Sequence, residues 1–243
     1  MIQVIRRAFD IIEYIASDTS KAHSLSEIAT SLGLNQATCA NILKTLVERN
    51  FVEQIGFKKG YKLGYMIYRL GRIGTFDDQL LKASIEPMEH LRNQLNETCL
   101  LAVLRKQNRV VIHQSNAERD LMVKSAIEKN AYISASGRFL LASLSDEELT
   151  EHIELYGLPK SDEWPEAISN VKFWEQIKRI RYDGFSKQVT STHIIGFAYG
   201  IRSKGRVMGS LSVYLPLSRL IEHGEKEIIA ATISTAIKIE QSI

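Results

Sequence analysis

Two helix-start signals near the N-terminus constrain the fold of this chain more than any other feature. Ser24 is followed by Glu27 at the spacing of a capping box, in which each side chain accepts a hydrogen bond from a free backbone amide at the helix start. Asn35 can cap a second helix, and Gly33 between them suits the end of the first. Two helices joined by so tight a turn need further elements of the same domain to cover their apolar faces.

The segments on either side of this helix pair supply those elements. Apolar residues recur at helical spacing between Val4 and Ile15, which predicts an amphipathic first helix. Residues 51–63 read as two short strands around a glycine-containing turn, which predicts a hairpin. The order helix, helix, turn, helix and hairpin predicts a winged helix-turn-helix DNA-binding domain over residues 1–64.

The helix that Asn35 begins carries the candidate DNA-contacting face. Its outer surface shows small and polar residues with a single positive charge and no acid before Glu48. Such a face suits a major groove, where side chains must closely approach base edges and phosphates, although an ordinary solvated helix surface explains the same residues. Lysines at the hairpin tip are placed to touch phosphate or a minor groove, and lysines are also common at exposed turns. The predicted DNA-contacting residues are Gln36, Ala37, Thr38, Asn41, Lys44, Thr45, Lys58 and Lys59.

Basic residues are concentrated in the same part of the chain. Residues 1–75 contain 10 Lys or Arg and 6 Asp or Glu, whereas residues 76–243 contain 21 and 22. The two parts therefore have net charges of +4 and −1, and a positive surface attracts DNA phosphates. The excess is modest, so it supports DNA binding without establishing it.

The rest of the chain predicts a linker and a second domain. Residues 65–79 read as a linker helix that its glycines weaken. Residues 80–243 mix strand pairs with helices and have too few long crossovers for a doubly wound sheet, which predicts an α+β domain around an antiparallel sheet. We predict strands over 98–105, 109–114, 121–126, 194–202 and 206–215, and helices over 80–96, 138–144, 170–182 and from about 218 to the end.

A series of short segments in a fixed order identifies a family resemblance. They are Ser24–Ala29, Leu34–Thr38, Asn41–Leu46, Gly60–Gly64, Ser134–Ala142, Tyr182–Phe185 and Gly209–Pro216. Over its whole length the chain resembles the IclR-type transcriptional regulators. The resemblance implies a GAF-like C-terminal domain whose six-stranded sheet binds a small organic effector, often a carboxylate. It also implies a homodimer or tetramer, paired through the DNA-binding halves, that reads a palindromic operator in double-stranded DNA.

The effector residues follow partly from this resemblance and partly from local chemistry. Free amides at a helix start suit an anion such as a carboxylate, and two residues on one strand, Ser212 and Tyr214, share a face. Arg138, in the first helical turn, can either face the sheet or lie in solvent. The predicted effector residues are Ala135, Ser136, Gly137, Gly196, Ser212 and Tyr214, although small residues here can also serve only close packing between helix and sheet.

The sequence departs from the family pattern at several of these positions. Asn41 stands where the family usually has an arginine, and asparagine pairs with adenine where arginine prefers guanine or phosphate. Gly196 stands where some relatives have a polar or thiol side chain, and Tyr214 stands where a small residue is frequent. The stretch 186–196 is shorter than usual. The operator and the effector therefore cannot be transferred from the family.

Other functional classes find little support in the sequence. Six histidines are scattered singly, no Cys/His spacing resembles a zinc site, and neither a phosphate loop nor a nucleophile elbow occurs. We therefore expect no metal, no cofactor and no enzymatic activity. The alternative is an enzyme or a protein-interaction module with a fused winged helix, but an enzyme would need a poised partner for Cys99 or His113. Buried thiols at Cys39 and Cys99, and the absence of a targeting or membrane segment, predict a cytoplasmic protein.

Overall fold

The computed structural model describes residues 2–56, 59–71 and 76–243. The chain divides into two compact units, Met1–Gly74 and Thr75–Ile243, which are described separately. The helices and strands of the first unit are α1 (Gln3–Ala16), α2 (Leu25–Ser31), α3 (Gln36–Glu48), β1 (Val52–Gln54), β2 (Tyr61–Leu63) and α4 (Tyr65–Gly71).

The first unit is a winged helix-turn-helix, as the sequence predicts. Ser24 and Glu27 form the capping box of α2, and the Asn35 side chain accepts the Ala37 N–H at the start of α3. Strands β1 and β2 pair antiparallel, and His23 forms a bridge to Tyr61 on the other edge of β2. The three helices and the hairpin enclose a core that includes Ile11, Ile15, Ile28, Cys39, Leu43 and Val52.

The second unit is an α+β domain built on one antiparallel sheet. Its helices are α5 (Phe76–Leu95), α6 (Ala135–Ala142), α7 (Asp146–Tyr156), α8 (Asn170–Asp183), α9 (Leu220–His223) and α10 (Glu225–Glu240). Its strands are β3 (Thr98–Arg105), β4 (Asn108–Ser115), β5 (Glu128–Asn130), β6 (Ser186–Val189), β7 (Ile194–Ser203) and β8 (Arg206–Pro216). The six strands lie in the order β5-β4-β3-β8-β7-β6, and every neighbouring pair is antiparallel.

Helices cover both faces of the sheet. Helices α5 and α10 pack on one face, in a core that includes Leu101, Phe197 and Val213. Helix α6 lies directly on the other face and α8 packs against α6, in a core that includes Leu100 and Tyr214. Because side chains alternate along a strand, Ser212 and Tyr214 of β8 face α6 while Val213 faces away. We call the second face the α6 face.

Two local predictions were wrong, and one strand was not predicted. Residues 121–126 form a loop, and the short strand β5 follows them. The loop does not pair as a strand because Leu121 is 67% exposed and the carbonyls of Leu121 and Ala126 accept hydrogen bonds from arginine side chains. The polar edge strand β6 was missed. The closing helix is two helices, because Gly224 at φ +75° interrupts it. No helix among the described residues is long and apolar enough to cross a membrane.

Candidate DNA-binding and effector sites

The predicted DNA-contacting face of α3 lies on the surface of the first unit. Packing of Cys39, Leu43 and their neighbours against the core fixes the inner side of the helix. Of the six predicted residues on α3, five are exposed and Thr38 is half-buried. The exposed residues on α3 are Gln36, Ala37, Asn41, Lys44 and Thr45.

Only some of these residues border a groove of the first unit. Thr38, Asn41 and Thr45 border a groove of about 560 Å³ between α3 and α1, whereas Gln36, Ala37 and Lys44 do not line it. The groove is mainly apolar, and we call it the α1 groove. It is lined on the α1 side by Val4, Ile5, Ala8, Phe9 and Ile12, and on the other side also by Ile42, Leu46 and Phe51.

Of the two lysines predicted at the hairpin tip, Lys59 lies among the described residues. Lys59 is exposed, and its backbone N–H donates to the Gly56 carbonyl at 3.1 Å, which closes the turn. Lys58 lies outside the described residues. Gly60 has φ +99°, a conformation that favours glycine, so the turn back into β2 depends on this residue.

In the second unit, most of the predicted effector residues meet at the start of α6. The Ser134 hydroxyl caps the helix by accepting the Gly137 N–H at 3.1 Å. The Ser136 N–H donates to the Tyr214 hydroxyl at 3.2 Å, and the Ser136 and Tyr214 hydroxyls lie 3.2 Å apart. Gly196 lies opposite Tyr214 in the β7–β8 register, and a Cβ at Gly196 would overlap the tyrosine ring. The phenol therefore lies over Gly196 and reaches the first turn of α6.

The remaining predicted residues have packing roles in this structure. Ala135 is buried, and a Cβ at Gly137 would overlap the backbone of Ala131, so this glycine allows the preceding turn to pack on α6. The Ser212 hydroxyl donates to the Leu100 carbonyl at 3.3 Å on the neighbouring strand. Ser212 thus shares the face of Tyr214, but its hydroxyl already has a backbone partner.

Arg138 is buried rather than solvated. Its Nε donates to the Tyr132 carbonyl at 2.8 Å, its Nη2 donates to the Glu163 carbonyl at 3.0 Å, and its guanidinium lies 4.4 Å from the centre of the Trp164 ring. Burial lowers the pKa of Arg138 to about 10. The side chain therefore ties α6 to the loop before α8.

A buried arginine that the sequence did not single out lies near this region. Arg109 on β4 is 1% exposed, and it donates to the Ala126 carbonyl at 3.1 Å and to the Ser125 hydroxyl at 3.2 Å. Its Nε has no hydrogen-bond partner within the part of the chain that the structure describes. The only signal in the sequence is an arginine at the start of the apolar run of β4, which a strand end explains equally well.

Two clefts flank α6, and none of the six predicted effector residues lines them. One, of about 730 Å³, lies beside the C-terminal half of α6 and includes Phe139, Arg181 and Arg206. The other, of about 450 Å³, includes Arg138 and Gln188. The Gln188 side chain donates to the Ile133 carbonyl at 3.1 Å, which fixes the segment before α6. The start of α6 is thus closed by protein groups rather than open to either cleft.

Cys99, one of the residues that an enzyme would have required, is not placed for nucleophilic catalysis. Cys99 is fully buried, and burial, followed by the charges of Glu89 and Glu97, raises the pKa of its thiol well above the usual range. A thiol held protonated is a poor nucleophile. Among residues 2–56, 59–71 and 76–243, no cluster of histidine, cysteine and acidic side chains is suited to a metal ion.

Both units are similar to the corresponding domains of known transcriptional regulators. The chain matches the family profile described as bacterial transcriptional regulator IclR C-terminal over residues 77–241, and that of the IclR helix-turn-helix domain over residues 4–56. It is 28% identical to the HTH-type transcriptional regulator TtgV of Pseudomonas putida, covering 100% of this chain and 92% of that protein. It is 24% identical to the transcriptional repressor IclR of Escherichia coli, covering 98% and 89%.

Solved structures show the same fold. An IclR homologue from Microbacterium hydrocarbonoxydans, crystallised with 4-hydroxybenzoate, has a TM-score of 0.77 and 20% identity, covering 99% of this chain and 98% of that one. The Thermotoga maritima IclR structure has a TM-score of 0.73 and 20% identity over the same shares of the two chains. With the profile matches to both units, these findings show that the chain belongs to the IclR family of bacterial transcriptional regulators and is a DNA-binding regulator rather than an enzyme.

Proposed function

We propose that this regulator binds a palindromic operator in double-stranded DNA as a dimer, or as a tetramer of two dimers, and that a small organic anion bound in the second unit changes its operator affinity. The observation that carries the proposal is the exposed polar face of α3 on a helix whose opposite side is packed into a core. A rigidly held helix with small polar side chains can lie in a major groove, and we assign base reading to Thr38 and Asn41 and phosphate contact to Lys44 and Lys59.

The α1 groove supports self-association of the first unit. Val4, Ile5 and Phe9 are 59%, 51% and 58% exposed, so a contiguous apolar surface faces solvent on this unit. Such a surface indicates a protein contact. A second copy is the occupant that we propose, because a two-fold contact buries the same patch on both chains and repeats α3 at the fixed spacing that a palindrome requires.

The start of α6 supports effector binding in the second unit. It combines the amides of a helix N-terminus with the hydroxyls of Ser136 and Tyr214, on a face where Gly196 has no side chain. Groups of this kind hold anions in proteins. The Microbacterium relative crystallised with 4-hydroxybenzoate supports a carboxylate as the chemical class of the effector.

Operator binding can be tested without knowing the operator. Sequences selected from random DNA duplexes by the full-length protein would provide the probe, and fluorescence anisotropy would measure its affinity from about 50 to 200 mM salt. We expect a palindromic consensus and a steep loss of affinity with salt, because bound lysines and arginines release counterions from phosphates. A flat salt response without sequence preference would contradict the proposal and favour a protein-interaction module that uses the α1 groove.

The effector can be sought by thermal shift. A ligand at 100 times its Kd adds about 2.7 kcal/mol to the stability of the unit that binds it, so a panel of small carboxylates gives a clear signal. Each compound that raises the Tm is then added to the operator titration. We expect at least one to change operator affinity, and a panel that stabilises the protein without affecting DNA binding would contradict the regulatory part of the proposal.

A further inference from the structure

The cleft of about 730 Å³ beside the C-terminal half of α6 has a local excess of positive charge. Arg181, Arg202 and Arg206 line it, and Glu148 is the one acidic residue among its described lining residues. Residues 76–243 as a whole contain 21 Lys or Arg and 22 Asp or Glu, so the excess does not follow from the composition of the unit. We call this cleft the arginine cleft.

The carboxylates around the arginine cleft already have partners. Glu148 accepts a backbone N–H at 2.9 Å in the capping box of α7, and Asp146 accepts a hydrogen bond from Arg181 at 2.6 Å. Glu240 accepts the backbone N–H of Arg202 at 2.7 Å, whereas its carboxylate lies 4.0 Å from the Arg202 guanidinium. These groups therefore neutralise only part of the charge in the cleft.

The three guanidiniums keep donors for a ligand. Arg206 is exposed, and its side chain makes no hydrogen bond or ion pair with any described residue. The Arg202 guanidinium lies 5.5 Å from the centre of the Tyr199 ring and donates no hydrogen bond within the described part of the chain. Arg181 donates to two carbonyls at the end of α6 and to Asp146, and each of its two terminal nitrogens keeps a further N–H.

The shape of the arginine cleft leaves room for a small organic molecule. Gly184 ends α8 and Gly205 lies in the turn of the β7–β8 hairpin, and a Cβ at either position would meet nothing within 4 Å. Phe139, Ile180 and Val207 supply apolar lining. Binding sites for small molecules commonly have volumes of about 300–1,000 Å³. A ligand with one charged group and a carbon skeleton matches these walls.

The charge of the cleft favours a phosphate over a carboxylate. A guanidinium can donate two parallel hydrogen bonds to one phosphate. Three arginines and one glutamate give the lining a net charge of +2. A phosphate monoester carries about −1.5 to −2 at neutral pH, and it can accept from several guanidiniums at once. A monocarboxylate would neutralise only half of the charge.

We propose that the arginine cleft binds a small organic phosphate, with the phosphate held by Arg202 and Arg206 and the carbon skeleton against Phe139 and Val207. The site is separate from the start of α6, to which we assign the effector, so the inference goes beyond the proposed function. Arg181 borders the cleft and holds the end of α6, so the two ligands would bind at opposite ends of one helix.

Three related probes test the chemistry of the site. Isothermal titration calorimetry on the full-length protein, in a buffer without phosphate or DNA, measures the Kd of phenyl phosphate, phenyl sulfate and inorganic phosphate. Phenyl sulfate has the shape of phenyl phosphate but only one negative charge. We expect phenyl phosphate to bind about tenfold more tightly than phenyl sulfate, because charge-assisted hydrogen bonds strengthen with charge. It should also bind a few-fold more tightly than inorganic phosphate, because its ring buries apolar surface.

Substitutions test whether these arginines hold the phosphate. Arg206→Met and Arg202→Met should each weaken binding of phenyl phosphate about tenfold, because each removes hydrogen bonds to a charged group. Arg105→Met removes an exposed arginine of the same unit that does not line the cleft, and it should leave the Kd unchanged. Arg206→Lys keeps the charge but loses the two parallel donors, so we expect an intermediate, few-fold effect. Circular dichroism checks that each variant is folded.

Four results would overturn the inference. They are no binding of phenyl phosphate, equal affinity for phenyl phosphate and phenyl sulfate, equal affinity for inorganic phosphate, or a Kd that folded Arg202→Met and Arg206→Met leave unchanged. Binding that survives both substitutions would place the ligand elsewhere in the protein. None of these measurements uses an operator or a carboxylate, so they can fail or succeed independently of the proposed function.

Discussion

Gly196→Ala offers the most direct check of how Tyr214 is held. Gly196 is in an extended strand, so alanine would itself stabilise the strand by about 0.5–1 kcal/mol. The added Cβ would overlap the Tyr214 ring, however, and overpacking a core costs about 1–3 kcal/mol. A displaced ring also loses its hydrogen bond to Ser136, which is about 1 kcal/mol. The balance predicts that the second unit loses about 2 kcal/mol of stability.

The two tryptophans provide the assay for this substitution. Trp164 and Trp174 both lie in the second unit, so their fluorescence during urea unfolding reports on that unit alone. Combining Gly196→Ala with Tyr214→Ala completes a double-mutant cycle. In the absence of the ring, alanine at position 196 should be neutral or slightly stabilising. An equal loss of stability in both backgrounds would refute the reasoning, because it would place the strain somewhere other than the ring.

Four further predictions concern the first unit. Asn41→Ala should relax base preference at one operator position, at a cost of about 1–3 kcal/mol, whereas Lys44→Ala should weaken binding to every sequence and lower the salt slope by about 1. Fluorescence anisotropy with matched and mismatched duplexes measures both effects. If the two variants showed each other's effect, α3 would be oriented differently on the DNA. Phe9→Asp should shift the protein towards monomer in sedimentation velocity by placing a charge in the α1 groove, and an unchanged oligomer would mean that the groove is not the contact. Ser24→Ala should destabilise the first unit by about 1 kcal/mol through loss of the α2 cap, whereas the exposed Ser26→Ala should not; equal melting temperatures would contradict this.

Features encoded by neighbouring residues were predictable from the sequence. The capping box at Ser24 and the cap at Asn35 act within a single helical turn, so their residue types alone located α2 and α3. The strand predicted over residues 121–126 failed for the opposite reason. Its apolar residues look like a strand, but the side chains of Arg109 and Arg219, distant in sequence, take its carbonyls and leave it as a loop.

The candidate effector site was also predictable only where neighbouring residues encode it. The small residues at the start of α6 were recognisable, and the structure brings Ser136, Gly196 and Tyr214 together. The occupation of the Ser136 amide by Tyr214 depends on the β7–β8 register and on the placement of α6 over the sheet, which no local pattern encodes. The burial of Arg109 likewise depends on the loop that closes over β4, so its sequence context gave no reason to select it.

The geometry of α3 links the two proposed functions of the first unit. Thr38, Asn41 and Thr45 border the α1 groove, so a second copy seated in that groove would come close to the side chains assigned to base reading. Lys44 does not line the groove and would remain free for phosphate. A substitution of Lys44 should therefore affect DNA binding alone. A substitution of Asn41 could affect both DNA binding and the contact between the two copies. A loss of operator specificity in Asn41→Ala reports on base reading only if sedimentation shows the oligomer intact, and a simultaneous loss of both would assign Asn41 to the contact between copies.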